Sequence, residues 1–162
     1  METDGDIFML EKKSTRLEDI MPVIREELER GGSVRIHPMG VSMLPMIRQG
    51  KDSVVLSSLP DKLKKYDVIL YQRENGQFVL HRLVRQKSGY VFWSDNGFEH
   101  ECGIERLQMI ARVSSFYRGD KQIDVEKCSY RLYCRLWYWS RDVRKLAHRT
   151  AALLCRVFRK TL

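Results

Sequence analysis

Val68-Ile69-Leu70-Tyr71-Gln72-Arg73-Glu74-Asn75-Gly76-Gln77-Phe78-Val79-Leu80-His81-Arg82-Leu83-Val84 is the stretch that decides the fold. Two runs of β-branched and aromatic residues flank Asn75-Gly76. That pair predicts a two-residue type I′ hairpin turn, whose central positions both need positive φ. Working outward, Val34-Arg35-Ile36, Ser53 to Leu56, Tyr90 to Trp93 and Met109 to Phe116 have the same character. Asn96-Gly97 and Arg118-Gly119-Asp120 punctuate them as turns do. Several short strands without alternating helices predict a mainly β fold, a compact and strongly bent antiparallel domain.

Helical periodicity appears on either side of this body. Leu17, Ile20, Met21, Ile24 and Leu28 recur at helical spacing behind a capping-box pattern, Thr15 with Glu18. Pro22 falls inside and should kink the helix or restart it, and Gly31-Gly32 should end it. After Glu126 the helical period returns. Leu132, Leu136, Trp139, Val143, Leu146, Leu153 and Val157 take heptad-like positions, with Arg135, Arg141, Arg144 and Lys145 on other faces and Trp137 near the start. The organisation expected is a lead-in over 1–13, a β domain with its N-terminal helix over 14–126, and a basic amphipathic helix over 127–162.

The chain has 162 residues and a mass of 19.2 kDa, of which 43% are hydrophobic and 31% charged, values that suit a folded domain. Its longest apolar run, Ala151 to Cys155, is five residues, whereas a bilayer span takes about 20. The acidic start, Met1-Glu2-Thr3-Asp4-Gly5-Asp6, is not followed by the apolar core of a signal peptide. A cytoplasmic location is therefore expected, with peripheral attachment at the inner membrane face as the variant the tail allows. From Lys127 onward there are ten Lys and Arg against one acid, Asp142, while the residues before it hold 19 basic and 20 acidic side chains. Such a tail suits an anionic membrane surface, and the amphipathic helix suits equally well packing on its own β domain or on a partner helix. Nucleic acid is not expected, because no base-reading module accompanies the charge. Cys102, Cys128, Cys134 and Cys155 lack Cys-x-x-Cys spacing and read as free thiols. His100-x-Cys102 has no second ligand pair, so neither a metal nor a cofactor is expected.

Two polar side chains offer chemistry. Strand alternation puts His81 on the face of Val79 and Leu83, half-buried, where burial keeps an imidazole neutral and able to take a proton at pH 7. Serine needs such a base within reach to become a nucleophile. The loop Gly40-Val41-Ser42-Met43-Leu44-Pro45 supplies one: Gly40 permits an unusual φ, and Pro45 should keep Leu44 extended. Amides beside Ser42 could then stabilise an oxyanion. Taken alone, each feature also reads blandly, His81 as a core histidine and the loop as a turn plugging Met43 and Leu44 into the core.

In combination they resemble a family. Gly40-x-Ser42-Met43-x-Pro45 resembles the nucleophile box of the superfamily joining type I signal peptidases and LexA-like self-cleaving repressors. Tyr66-Asp67-Val68-Ile69 resembles the "G-D-V-V" strand that follows it. Leu80-His81-Arg82-Leu83-Val84 resembles the "H-R-V" strand of the general base, and Ser94-Asp95-Asn96 the "G-D-N" box beyond. Most bacterial members carry lysine where this chain has His81, whereas the endoplasmic-reticulum and archaeal-type signal peptidases use histidine. Four boxes in order cover roughly Gly32 to Val113.

The resemblance implies Ser42 as nucleophile, His81 as base and later acid, and a carboxylate to orient the imidazole, which points to Glu101 with Asp95 as rival. Tyr66 and Ser94 stand where the boxes have glycine. Gly40 stands where many signal peptidases carry a hydroxyl, so the oxyanion would rest on backbone amides. The activity implied is a serine endopeptidase that cuts a peptide or leader segment bound as an extended strand, next to small side chains. Two other readings stand beside it. One is self-cleavage, against which only about 30 residues precede the β body, short for a DNA-binding domain. The other is a non-catalytic adaptor holding a peptide on its sheet edge.

Overall fold

The computed structural model describes residues 7–9, 16–86, 89–98, 100–147 and 150. Among them nine strands form one sheet: β1 (Ile7–Met9), β2 (Ser33–Ile36), β3 (Asp52–Ser57), β4 (Val68–Gln72), β5 (Phe78–Arg85), β6 (Tyr90–Trp93), β7 (His100–Ile104), β8 (Met109–Arg118) and β9 (Lys121–Asp124). Their order is β1-β2-β3-β8-β4-β5-β6-β7, with β9 paired to β8. Every pairing is antiparallel except β1 with β2. The protein is thus mainly antiparallel β. Helix α1 (Leu17–Glu29) precedes β2, and α2 (Cys128–Trp139) follows β9. The chain divides into two compact units, Met1–Lys127 and Cys128–Leu162.

The β4–β5 hairpin forms where the sequence places it, with Ile69 opposite His81 and Tyr71 opposite Val79. Its turn differs. Arg73 N–H donates to Gln77 O, Gly76 N–H donates to Arg73 O, and only Gly76 has positive φ, at 85°. This is a three-residue loop, a turn closed by a left-handed glycine, which needs positive φ at one position where type I′ needs two.

Burial marks the middle of the sheet. β3, β4 and β5 are buried along consecutive residues, so both faces are covered. Bulges interrupt the β3–β8, β4–β8, β5–β6 and β6–β7 ladders, and each adds local twist. Leu63, Ile69, Tyr71, Leu83, Phe92 and Met109 form one core cluster on the face that also carries His81.

Helix α1 buries Met21, Ile24 and Leu28 and runs through Pro22, which is exposed. It ends as expected: Gly31 N–H bonds Leu28 O and Gly32 N–H bonds Glu27 O, a Schellman pattern. The expected capping residue Thr15 lies outside the described residues, and the N-cap position, Arg16, makes no side-chain cap.

Three strands go beyond the sequence reading. Ile7–Met9, expected within an unstructured lead-in, adds to β2 in parallel, where it satisfies the backbone groups of what would otherwise be an edge. Lys121–Asp124 folds back on β8, and His100–Ile104 forms the far edge beside β6. Neither segment carries the β-branched pattern by which the other strands were read. In the second unit α2 ends at Trp139, Ser140 is a turn whose hydroxyl donates to Trp137 O at 3.2 Å, and helical residues resume over 141–147. Leu153, Val157 and Cys155 lie outside the described residues.

Candidate active site

Alternation and register gather the polar groups. Tyr71 on β4 and His81 on β5 share a face with Leu83, which pairs with Phe92 on β6, which in turn pairs with Glu101 on β7. Arg73, two residues past Tyr71, projects the same way. Glu101 is a partner of all three: Tyr71 Oη donates to Glu101 Oε2 at 2.9 Å, Arg73 Nε to Oε2 at 2.9 Å, and Arg73 Nη2 to Oε1. His81 Nδ1 lies 3.2 Å from Glu101 Oε1 and 3.0 Å from the Tyr71 hydroxyl. Because the phenol spends its proton on Glu101, its oxygen is left to accept from Nδ1–H. The consistent tautomer therefore protonates Nδ1 and leaves Nε2 as the basic nitrogen.

Electrostatics agree with that assignment. Burial pushes the His81 imidazole below the ordinary histidine value, Arg73 acts in the same direction, and the upward pull of Glu101 and Asp95 is outweighed. Burial raises the Glu101 carboxyl, but hydrogen bonds from Arg73 and Tyr71 and the neighbouring positive charge more than offset it, and the group falls below the ordinary range. The Tyr71 phenol is pushed up by burial and by Glu101, so it remains a donor at any physiological pH.

Asp95, the rival carboxylate, is engaged elsewhere. Arg82 holds it bidentately, Nε to Oδ1 at 2.7 Å and Nη2 to Oδ2 at 2.6 Å, with both side chains almost fully buried. Arg82 also reaches Tyr66 O at 2.9 Å and Met46 Sδ at 2.9 Å. Being adjacent on one strand, His81 and Arg82 point to opposite faces, so the two carboxylates serve different sides of the sheet.

Ser42 lies in a turn over residues 42–46, half-buried. Its carbonyl accepts from Asn96 N–H at 2.9 Å and from Ser94 Oγ at 3.0 Å. The β5–β6 ladder pairs Arg82 with Trp93, and Ser94 is the residue that follows Trp93. The serine loop is therefore tied down just past the end of β6, the strand that neighbours the one carrying His81. Ser94 performs a task that glycine could not, and its hydroxyl also accepts Gly97 N–H at 2.8 Å.

Further braces hold this loop. Asp52, fully buried, takes Arg48 N–H at 2.8 Å and two guanidinium bonds at 3.0 and 2.8 Å. Those bonds, the Arg48 side chain first, hold its carboxyl below the usual range. Arg118 reaches Pro45 O at 3.2 Å and Met46 O at 2.9 Å. Gly40 adopts φ 96°, and its N–H donates to Gln49 Oε1 at 3.0 Å. Met43 is buried, as expected of a plug. The Leu44–Pro45 peptide is cis. Leu44 N–H bonds Val41 O and Ile47 N–H bonds Met43 O. Among the described residues, the amides of Val41, Ser42 and Met43 and the Ser42 hydroxyl make no hydrogen bond.

No family model, curated protein or solved structure matches this chain.

The case for the site rests on its own residues. Ser42, His81 and Glu101 come from the first loop of the sheet, a central strand and an edge strand. Tyr71 and Arg73 are the members that sequence reasoning passed over. Their signal was present, since positions 69, 71 and 73 alternate onto the face of 79, 81 and 83. A groove lined by Arg25, Gln72, Arg73, Glu74, Gly103, Glu105, Leu107 and Gln108 opens at the Arg73 end of this network, and neither Ser42 nor His81 lines it. The helix residues Arg135, Trp137, Trp139, Arg141, Arg144 and Lys145 belong to the second unit. There the Arg144 guanidinium stacks on the Trp137 ring at 3.5 Å.

Proposed function

We propose that this protein is a serine endopeptidase of the LexA-like and signal peptidase type, closest to the histidine-using branch. Ser42 attacks the scissile carbonyl. His81 Nε2 takes its proton and later returns it to the leaving amine, and Glu101 orients and stabilises the imidazolium. The observation that carries the reading is the engagement of His81 at Nδ1 by Glu101 and Tyr71, which leaves Nε2 as the basic nitrogen, with the serine loop anchored just past the end of the neighbouring strand β6. The unbonded amides of Ser42 and Met43 support an oxyanion site built from backbone alone. The substrate is a peptide bound as an extended strand, its main-chain hydrogen bonds setting the register. A leader-bearing peptide processed at the cytoplasmic side fits this reading.

Labelling with a fluorophosphonate probe tests it. The wild-type chain should acquire one label at Ser42, and Ser42→Ala and His81→Ala should abolish it. A folded wild-type protein that never labels would sink the peptidase reading. One observation favours the adaptor instead: among the described residues no hydrogen bond joins Ser42 Oγ to His81. Retained peptide binding without labelling is the outcome that assigns the protein to it. A product band that Ser42→Ala lacks, in the absence of added substrate, assigns self-cleavage.

A further inference from the structure

The second unit carries an apolar stripe that the proposed chemistry does not use. Leu132, Leu136 and Trp139 in α2, and Val143 and Leu146 in the helical residues after the Ser140 turn, follow one another at spacings of four, three, four and three, the spacing of one helix side. All five are between 56 and 77% exposed. Tyr130 and Cys134, on the other side of α2, are buried. Large apolar side chains gathered in one exposed row mark a surface built to be covered.

Charge decides what covers it. The unit Cys128–Leu162 holds nine Lys and Arg and a single acid, Asp142, a strongly positive formal charge. A second copy of the chain would bring two such units together. The same spacing suits a coiled coil, but of the flanking positions Arg135, Asp142, Tyr133, Ser140 and Ala147 only Arg135 and Asp142 could pair, in an antiparallel seam, which leaves most of the positive charge unanswered by a second copy. An anionic bilayer satisfies both features at once. Its acyl boundary takes Leu, Val and Trp side chains, and its headgroups take the guanidinium and ammonium groups. Trp139 in the stripe, with Trp137 and Tyr138 beside it, has the ring chemistry favoured at that boundary.

We infer that the exposed row from Leu132 to Leu146 is a membrane-docking face for anionic phospholipid. It seats the helix flat in the headgroup region and does not cross it. This goes beyond the peptidase reading and does not depend on Ser42.

Co-sedimentation of the full chain with phospholipid vesicles tests the inference. The protein should pellet with vesicles of phosphatidylglycerol and phosphatidylcholine and stay in solution with phosphatidylcholine alone. Binding should weaken at least tenfold between 0.1 and 0.5 M salt, as expected when screening shortens from about 10 Å. Leu136→Asp combined with Val143→Asp should reduce binding at least tenfold with an unchanged circular dichroism spectrum, since both positions are exposed. Ser42→Ala should bind as wild type. Equal pelleting with neutral vesicles, or none with either, would overturn the inference. So would undiminished binding by the double variant, which would assign attachment to charge without the stripe. A lipid-free dimer in analytical ultracentrifugation that the double variant dissolves would give the face to a second copy instead.

Discussion

Glu101 presents Oε1 to His81 Nδ1 at 3.2 Å while Arg73 grips both oxygens of the same carboxylate. The histidine is thereby placed between an anion that favours its protonated form and a burial that disfavours it. Burial is the larger influence, and Arg73 partly cancels the anion. The imidazole is consequently neutral at pH 7 yet oriented by a charge able to stabilise the imidazolium once it forms.

Opposite shifts in pH profile follow from this arrangement. The rate of Ser42 acylation in the wild type should rise through an acid limb centred below 6.5, the ordinary histidine value. Arg73→Met removes a cation that lowers His81, so the limb should move to higher pH. Glu101→Gln removes the anion that raises it, so the limb should move lower, with the plateau falling by roughly 10²–10⁴-fold as orientation is lost. If Asp95→Asn moves the limb and Glu101→Gln does not, the orienting role passes to Asp95.

The Arg82–Asp95 pair predicts a stability effect rather than a chemical one. Both side chains are 3% exposed and joined by two bonds. Arg82→Met leaves a buried carboxylate without its partner and should cost about 3–5 kcal/mol in urea unfolding. Replacing Asp95 by Leu in the same chain should recover most of that loss. A single variant that unfolds at the wild-type midpoint would contradict the pairing.

Tyr66 holds φ at 79°, a left-handed conformation that side chains rarely adopt. The chain accepts it because Tyr66 N–H bonds Leu83 O at 2.7 Å and Tyr66 O receives Arg82, while Asp67 O takes Leu83 N–H at 2.8 Å. Left-handed backbone costs a residue with a Cβ about 1–2 kcal/mol. Tyr66→Gly should therefore raise the melting temperature or leave it unchanged, and Tyr66→Val should lower it. Loss of stability in the glycine variant would mean that the ring's contacts outweigh the backbone relief.

Acid should unfold the protein in two stages. The folded-state value of His81 is depressed, so its contribution is present above the unfolded value near 6.5 and is lost as pH falls through the folded value. Asp52, Glu101 and Glu126 are depressed likewise, Glu126 to about 2 chiefly by hydrogen bonds from Lys64 and Arg112. Their contributions are present above about 4.5 and drain away below it. A melting temperature followed from pH 8 to pH 3 should fall first below 6.5 and again below 4.5. His81→Gln should erase the first decline only.

Much of this was legible in the linear chain. The 68–84 hairpin, the strands around it and the end of α1 at Gly31-Gly32 are local matters, set by side-chain periodicity and by which residues tolerate a turn. The pairing of Ser42 with His81 as candidates was legible too, because each lies in a short box with its own pattern. Glu101 and Asp95 could not be told apart there. Both follow β6 within a few residues, and β7 lacks the β-branched pattern that would have announced a strand. Tyr71 read only as part of a strand, and it is buried; its hydroxyl became significant only once Glu101 stood within 2.9 Å.

What the amino-acid order determined by itself is the alternation that aims Tyr71, Arg73 and His81 to one side of the sheet and Arg82 to the other. It also determined the uneven charge that concentrates cations after Glu126. What only the tertiary structure decided is which carboxylate meets which cation. That choice depends on strand neighbours far apart in the chain, β5 beside β6 and β6 beside β7, and on a register that carries Glu101 across to His81 while Asp95 turns toward Arg82. Local preferences act over a few residues, whereas register across three strands is a property of the whole sheet.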